Sequence, residues 1–171
     1  MPPLLVLMGV SGSGKSTIGL LLAQALDVQF LEGDTLHSAR NIERMASGVA
    51  LTDQDREEWL ELLSQRIAQA RHAGRGAVVS CSALKRSYRD VLRRGAPELL
   101  FVHLSGDPAL LAARTRQRTG HYMPASLLPS QLQTLEPPEP DEAALTVDVA
   151  ASPQVIVRQV LAALAQRAPG T

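Results

Sequence analysis

The sequence predicts an α/β fold, a five-stranded parallel sheet flanked by helices in a doubly wound arrangement, and three observations carry that expectation. Short apolar runs alternate with stretches of helical periodicity along the whole chain, the pattern of strands joined by crossover helices. The run Gly76-Ala77-Val78-Val79-Ser80 is apolar throughout its centre, as a strand covered on both faces requires. At the start, apolar Leu4 to Met8 passes directly into Gly9-Val10-Ser11-Gly12-Ser13-Gly14-Lys15-Ser16, then into Ile18, Leu21, Leu22, Ala25 and Leu26 at helical spacing. With 171 residues and 45% hydrophobic composition, the chain suffices for one well-buried core and not for two, so residues 1–171 are expected to form a single domain.

The stretch from Gly9 to Ser16 fits G-x-x-x-x-G-K-[ST], a phosphate-binding P-loop, in the strand-loop-helix context that the motif demands. Its glycines let the backbone wrap phosphates closely and point successive N–H groups inward, at the positive end of the helix that follows. Lys15 supplies a mobile point charge for the β- and γ-phosphates, and the Ser16 hydroxyl is placed to ligate Mg²⁺. A bare glycine-rich turn with an exposed lysine would need none of this context.

Lys+Arg and Asp+Glu are both 17, so no global positive field holds nucleic acid or an anionic membrane, and small-molecule chemistry is favoured. Pro2 and Pro3 follow Met1 without a basic region, Leu4 to Met8 runs straight into the loop, and no apolar run is long enough to span a bilayer. The single Cys81 has no disulfide partner within the chain; with the absence of a leader pattern it points to a reducing cytoplasm. Only Lys15 and Lys85 are lysines among the basic residues, which marks both as places where a compact ammonium is wanted, against chance for Lys85. The sequence leaves the oligomeric state open, a homodimer included.

The remaining elements follow in order. Val28 to Leu31 reads as a second strand ending in Glu32-Gly33-Asp34, beyond whose carboxyl end Asp34 and His37 should face the crevice of the P-loop. Asp34 could take a proton from an attacking hydroxyl or hold a water on Mg²⁺; the alternative is an N-cap for a helix from Thr35 through Met45. Thr52-Asp53-Gln54-Asp55 opens a helix whose apolar face is Trp59, Leu60, Leu63, Ile67 and Ala70, stopped at Gly74. Arg56 in its first turn opposes the helix dipole, which suggests an anionic partner, or else a neighbouring acid. The third strand, Gly76 to Ser80, ends in Ser80-Cys81-Ser82-Ala83-Leu84-Lys85, small polar residues that leave room for a ligand, with Cys81 packed rather than catalytic. A helix from Arg86 to Arg94 places Lys85 and Arg89 four apart, able to converge on one anion.

Leu99 to Leu104 is a fourth strand, and Asp107-Pro108 starts a helix from which Arg114 and Arg118 project on one face. Residues 119–140 loosen into Thr119 to Pro124, an amphipathic piece from Ser126 to Leu135, and the proline-rich Glu136 to Pro140, together expected to act as a mobile lid. Ala144 to Val149 is the fifth strand, and Ser152-Pro153 begins a last helix carrying Val157, Val160, Leu161 and Leu164 inward; Ala168 to Thr171 are expected to fray. Residues 35–74 sit where an acceptor-binding helical region belongs, and 119–140 where a lid belongs.

Beyond the P-loop through Thr17, several stretches are selective. They are Gly33-Asp34-Thr35-Leu36-His37 with Asn41, Met45, Ser47 and Gly48; Leu51 to Arg56 with Trp59-Leu60; Ser80 to Lys85 with Tyr88-Arg89-Asp90; Gly120-His121-Tyr122-Met123; Ser130-Gln131; and Leu135-Glu136. Over nearly its whole length the chain thereby resembles the bacterial gluconate kinases. The resemblance implies a P-loop kinase fold like that of shikimate kinase and the nucleoside monophosphate kinases, and ATP-dependent phosphorylation of D-gluconate to 6-phosphogluconate. It implies nucleotide contacts at Gly9, Ser11, Gly12, Ser13, Gly14, Lys15, Ser16 and Thr17, with Mg²⁺ at Ser16 and Asp34. Around the acceptor it implies Asp34, His37, Arg56, Lys85 and Arg89, joined by Ser82, His121 and Gln131 as further candidate contacts, and it puts Arg114 and Arg118 on the phosphates from the lid side. Tyr122, where the family often has Phe, and Pro124 are departures that bear on the lid's rigidity.

The residue types agree: a polyol acid needs a cation and several small hydrogen bonders, and so few aromatics offer no platform for stacking a base. The rival readings are a related kinase of shikimate or another hydroxy acid, and a nucleotide-driven switch or non-catalytic binding module. A switch would need a metal-binding carboxylate at the end of the Ala77 to Ser80 or Leu99 to Leu104 strand, and neither ends that way.

Overall fold

The structure, a computed structural model, describes residues 1–168. Leu4–Met8 (β1) is buried at every position, which only an interior strand allows. It is the middle of a five-stranded sheet ordered β2-β3-β1-β4-β5, all neighbours parallel, with β2 at Gln29–Glu32, β3 at Ala77–Ser80, β4 at Leu100–Ser105 and β5 at Ala144–Asp148. The apolar third strand is interior but second from the edge; β1 takes the centre. Because every strand runs the same way, the loops after β1, β2 and β3 open on one rim.

The helices are Lys15–Leu26 (α1), Ala39–Ala46 (α2), Asp53–His72 (α3), Arg86–Gly95 (α4), Pro108–Gln117 (α5), Leu128–Thr134 (α6) and Pro153–Arg167 (α7). On α1 the buried positions are Ile18, Gly19, Leu22 and Ala23, while Ala25 is exposed, so the core-facing stripe lies one residue round from the expected one. The α1 helix ends with Asp27 in the left-handed region, its N–H and that of Val28 returning to Ala23 O, so β2 starts at Gln29 rather than Val28. On α7, Ile156 and Val160 are fully buried, with Val157, Leu161 and Leu164 packed against the core more loosely. Of the expected frayed tail, 169–171 lie outside the described residues.

Two departures shape the site. The helix expected from Thr35 through Met45 is interrupted: Gly33–Leu36 forms one tight 3₁₀ turn, His37 is extended, and Ser38 caps α2 by accepting from Asn41 N at 3.1 Å. Asp34 is therefore not a helix cap, and its carboxylate is free for other partners. The α3 start is as expected, a reciprocal box in which Asp55 N donates to Thr52 Oγ1 at 3.1 Å and Thr52 N to Asp55 Oδ2 at 2.9 Å.

The second departure concerns the exit of residues 119–140. Leu84 O accepts from Glu136 N at 2.7 Å, Arg86 N donates to Glu136 Oε1 at 3.0 Å, and the Arg86 guanidinium bridges Glu139 and Asp141 at 3.1 and 2.6 Å. The proline-rich end, expected to be mobile, is thus strapped to the start of α4. Among the described residues no helix is long and apolar enough to cross a membrane.

Candidate active site

The P-loop joins β1 to α1 with Gly14 as the N-cap residue at φ 92°, a left-handed conformation that costs a glycine nothing, and with no side chain capping the helix. The first-turn N–H groups of α1 are left for a ligand, in the field of the helix dipole and with no acidic residue in that turn. Ser13 Oγ is buried beside them, without a partner among the described residues. This arrangement fits an anion such as a nucleotide phosphate. Lys15 Nζ folds back on Gly9 O and Val10 O at 3.0 and 3.1 Å; burial lowers its pKa, and the nearby Asp34 carboxylate opposes that shift.

The carboxyl ends of β2 and β3 close together because Gly33 has no side chain: a Cβ there would lie 2.1 Å from Ser80 O. Glu32 accepts from both Ser16 Oγ and Ser80 Oγ, and Ser80 Oγ accepts from Gly33 N at 3.3 Å. Ser80, one of the small hydroxyl residues at this strand end, is thereby committed to the scaffold. Glu32, Ser16 and Asp34 are hard oxygen donors beside the phosphate cradle, a set that suits Mg²⁺ and not a soft metal. Glu32 was not singled out from sequence, although a carboxylate at the carboxyl end of a strand beside the loop was the signal for it.

Two adjoining cavities share a wall. The larger, about 300 Å³, is lined by Gly12, Gly14, Lys15, Ser16, Thr17, Asp34, Arg118, Thr119, Gly120 and His121. The smaller, about 30 Å³, is lined by Ser11, Lys15, Asp34, His37, Met45, Leu51, Arg56, Trp59, Ser82, Arg118, His121, Met123 and Gln131. Lys15, Asp34, Arg118 and His121 border both, which is where a group passing from one cavity to the other would be held.

Asp34 is pushed up by burial, but the His121 hydrogen bond and the Lys15 ammonium outweigh that and hold it below its ordinary value. His121 Nδ1 accepts from Met123 N at 3.1 Å, so the ring proton sits on Nε2, 3.5 Å from Asp34 Oδ2. His37 stacks on Trp59 at 3.9 Å, and burial lowers its pKa to about 4, Asp34 opposing, so it is neutral at pH 7, with a buried Nδ1 that has no partner among the described residues. Trp59 is fixed in turn by donating Nε1–H to Gly33 O at 2.8 Å. From the segment 119–140, Gln131 Oε1 accepts from Ser11 N at 2.6 Å, and at its entry Arg118 Nη2 donates to Ser11 Oγ at 2.7 Å, so the segment rests directly on the P-loop.

Three expected site residues lie elsewhere. Arg89 is fully buried: Nε and Nη2 bind Glu142 at 2.7 and 3.0 Å, and Nη1 donates to Ala83 O at 2.9 Å. Every donor edge is spent inside the protein, so Arg89 does not converge with Lys85 on an anion. Lys85 pairs instead with Asp53 at 3.1 Å and borders neither cavity. Arg114 also borders neither, and Arg118 caps α5 in an extended conformation, so the two do not share a helix face as their spacing suggested. Cys81 is fully buried and its thiol is pushed up to about 12 by burial, an inert packed cysteine.

An AAA domain model matches residues 4–138 of the chain. The chain is 48% identical over 160 residues to the gluconokinase of Gluconobacter oxydans, covering 94% of this chain and 90% of that protein. Among solved structures, a gluconokinase from Sinorhizobium meliloti superposes with a TM-score of 0.87 at 51% identity, covering 96% of this chain and 93% of that one. An unliganded sugar kinase from Janibacter sp. HTCC2649 does so with a TM-score of 0.92 at 44% identity, covering 96% and 95%. The chain thus matches gluconokinases almost end to end, in sequence and in fold, and it belongs to the gluconokinase family.

Proposed function

We propose that the protein transfers the γ-phosphoryl group of ATP to the terminal hydroxyl of D-gluconate, giving 6-phospho-D-gluconate and ADP. The observation that carries this reading is the shared wall of the two cavities, where Lys15, Asp34 and Arg118 stand between a phosphate cradle and a pocket holding Arg56, His37 and Ser82. In the reaction the acceptor oxygen bonds to the γ-phosphorus as the bond to the β-phosphate oxygen breaks, and ADP keeps that electron pair. Asp34, ionised at neutral pH, takes the proton of the attacking hydroxyl. Lys15 and Arg118 neutralise charge on the transferring group and the leaving oxygen.

Arg56 binds the gluconate carboxylate. Neutral His37 and Ser82 hydrogen-bond its hydroxyls, and Met45, Leu51 and Met123 cover its carbon chain. Ser16 and Glu32 would hold Mg²⁺, which supplies Lewis-acid charge at the phosphates and leaves the Asp34 carboxylate to the acceptor hydroxyl. The acceptor pocket is too small for a six-carbon acid while His121 and Arg118 rest on it, so the lid lifts for entry and returns over the bound pair. We place the protein in the cytoplasm, a reading supported by its single, buried, free Cys81.

The test is a coupled ADP-release assay over gluconate, shikimate, glycerate and nucleoside monophosphates. Gluconate is expected to give the highest kcat/KM; shikimate or a nucleoside monophosphate doing so overturns the reading.

A further inference from the structure

Arg56 enters the acceptor pocket from the first turn of α3, and its only hydrogen bond among the described residues goes to Tyr88, which does not line that pocket. Arg56 Nη1 donates to Tyr88 Oη at 2.9 Å, and its guanidinium carbon lies 5.3 Å from the centre of the Tyr88 ring. Among the described residues no carboxylate pairs with Arg56, and the rest of its donor edge is uncommitted. A phenol has one proton to give, and that of Tyr88 goes to Asp53 Oδ1, so the oxygen's lone pairs are turned toward Arg56. Asp53 is held in turn by Lys85 Nζ at 3.1 and 3.3 Å from its two oxygens, and the same ammonium lies 5.8 Å from the centre of the Tyr88 ring. The chain of bonds therefore has one direction, from Arg56 through Tyr88 to Asp53, closed at its outer end by Lys85.

We propose that Tyr88 is the positioning residue for the acceptor carboxylate: clamped by the Asp53–Lys85 pair, it fixes the Arg56 guanidinium with its free edge toward the acceptor pocket. This rests on the assignment of a carboxylate-bearing acceptor to that pocket. An unclamped arginine samples many rotamers, and the affinity of a planar donor fork for a carboxylate depends on holding one of them. Tyr88 is only 4% exposed, so its ring is locked by packing, whereas Lys85 and Asp53 are partly solvated and can be altered without opening the core. The arrangement also gives Lys85 a task outside the pocket: a compact ammonium reaches both Asp53 oxygens and the ring face together.

The experiment uses the full chain and steady-state kinetics with gluconate, and with gluconamide, its uncharged analogue. Tyr88→Phe removes one oxygen and keeps the ring. It is expected to raise the gluconate KM about tenfold, the size of one weakened charge-assisted hydrogen bond, with kcat and the ATP KM within twofold of wild type. The preference for gluconate over gluconamide in kcat/KM should fall by a similar factor, which a general loss of packing would not produce. Asp53→Asn and Lys85→Met should raise the gluconate KM in the same direction, and Tyr88→Phe combined with Asp53→Asn should be no worse than Tyr88→Phe alone, because both act through one arginine. Wild-type KM in Tyr88→Phe, an unchanged gluconamide ratio, or multiplied effects in the double variant overturns the relay while leaving the kinase reading intact. Absence of gluconate turnover in the wild type overturns both. Should Tyr88→Phe fold poorly, Lys85→Met decides the matter from the solvent side, and an unchanged gluconate KM there counts against the relay.

Discussion

At the scale of single residues, the environment of Asp34 fixes what it can do. Its pKa lies below its ordinary value, so the carboxylate is ionised throughout the neutral range and can accept a proton late in the transfer, when the acceptor oxygen has become acidic. Because the shift is downward, protonation of Asp34 should not reduce kcat anywhere between about pH 5 and 8, well above the ordinary carboxylate range. An acid limb in kcat centred near pH 6 would assign the base elsewhere. Asp34→Asn should lower kcat by about 10²-fold or more with the gluconate KM changed only a few-fold, since the amide keeps the shape and loses the proton acceptor. A variant altered only in KM would make Asp34 a binding residue. Lys15→Ala should cost about 10³-fold in kcat with an unchanged circular dichroism spectrum, because among the described residues the ammonium bonds only to its own loop's carbonyls. Retained turnover would remove it from the phosphoryl path.

At the scale of elements, the buried Arg89–Glu142 pair ties α4 to the approach of β5. Burial pushes the Glu142 carboxyl up, but hydrogen bonds from the Arg89 guanidinium and the Glu139 amide outweigh it and bring the pKa to about 2, from an ordinary 4.5. A depressed folded pKa means the stabilisation is present above about pH 4.5 and is lost as pH falls toward 2. Glu142→Gln should therefore cost about 3–5 kcal/mol at pH 7, by leaving a buried guanidinium underpaired, while Arg89→Met with Glu142→Leu should recover most of it. Thermal melts check both, and the folded double variant should keep its gluconate KM, which a substrate role for Arg89 forbids.

This pair also explains what the sequence could not show. The five strands and the P-loop were legible because each is a local pattern, a few apolar residues or a fixed spacing between turn residues. That Lys15, Asp34, His37 and Arg56 line one cavity was legible because strand ends and helix starts in a parallel sheet point at one rim. Which arginines are spent internally was not, since the partner of Arg89 lies 53 positions away, and an i, i+4 spacing says nothing about what a third element brings. The break before α2 was readable at Ser38 and Asn41 but was hidden by helical periodicity running across it.

For the whole molecule, the deciding feature is a second hydrophobic cluster outside the main core. Met45 at the end of α2, Leu51 before α3 and Leu127 from the lid are buried together, with Tyr122 and Met123 against them. One side belongs to the acceptor region and the other to the lid, and no strand of the sheet contributes. Separating them would expose apolar side chains worth roughly 1.5–3 kcal/mol each, whereas moving them as a unit exposes little at this seam. The lid also occupies the phosphate loop, through Gln131 on Ser11 beside Arg118 at the lid's entry, and Asp34, through His121. ATP arriving at the loop therefore displaces contacts that the acceptor side is joined to, and gluconate arriving in its pocket moves the elements that cover ATP. Binding of the two should be mutually favourable and, as a coupling free energy, equal in both directions. Titrating a non-hydrolysable ATP analogue with and without gluconate, then the reverse, measures that factor. Leu127→Ala cuts the seam without touching either ligand or the sheet core; it should bring the factor toward one and leave both individual affinities within a few-fold. Gluconate should protect the segment around 119–127 from protease in the ATP-bound wild type and less so in the variant. An undiminished coupling factor in a folded Leu127→Ala protein would mean that the lid and the acceptor region communicate through Asp34 and His121 alone.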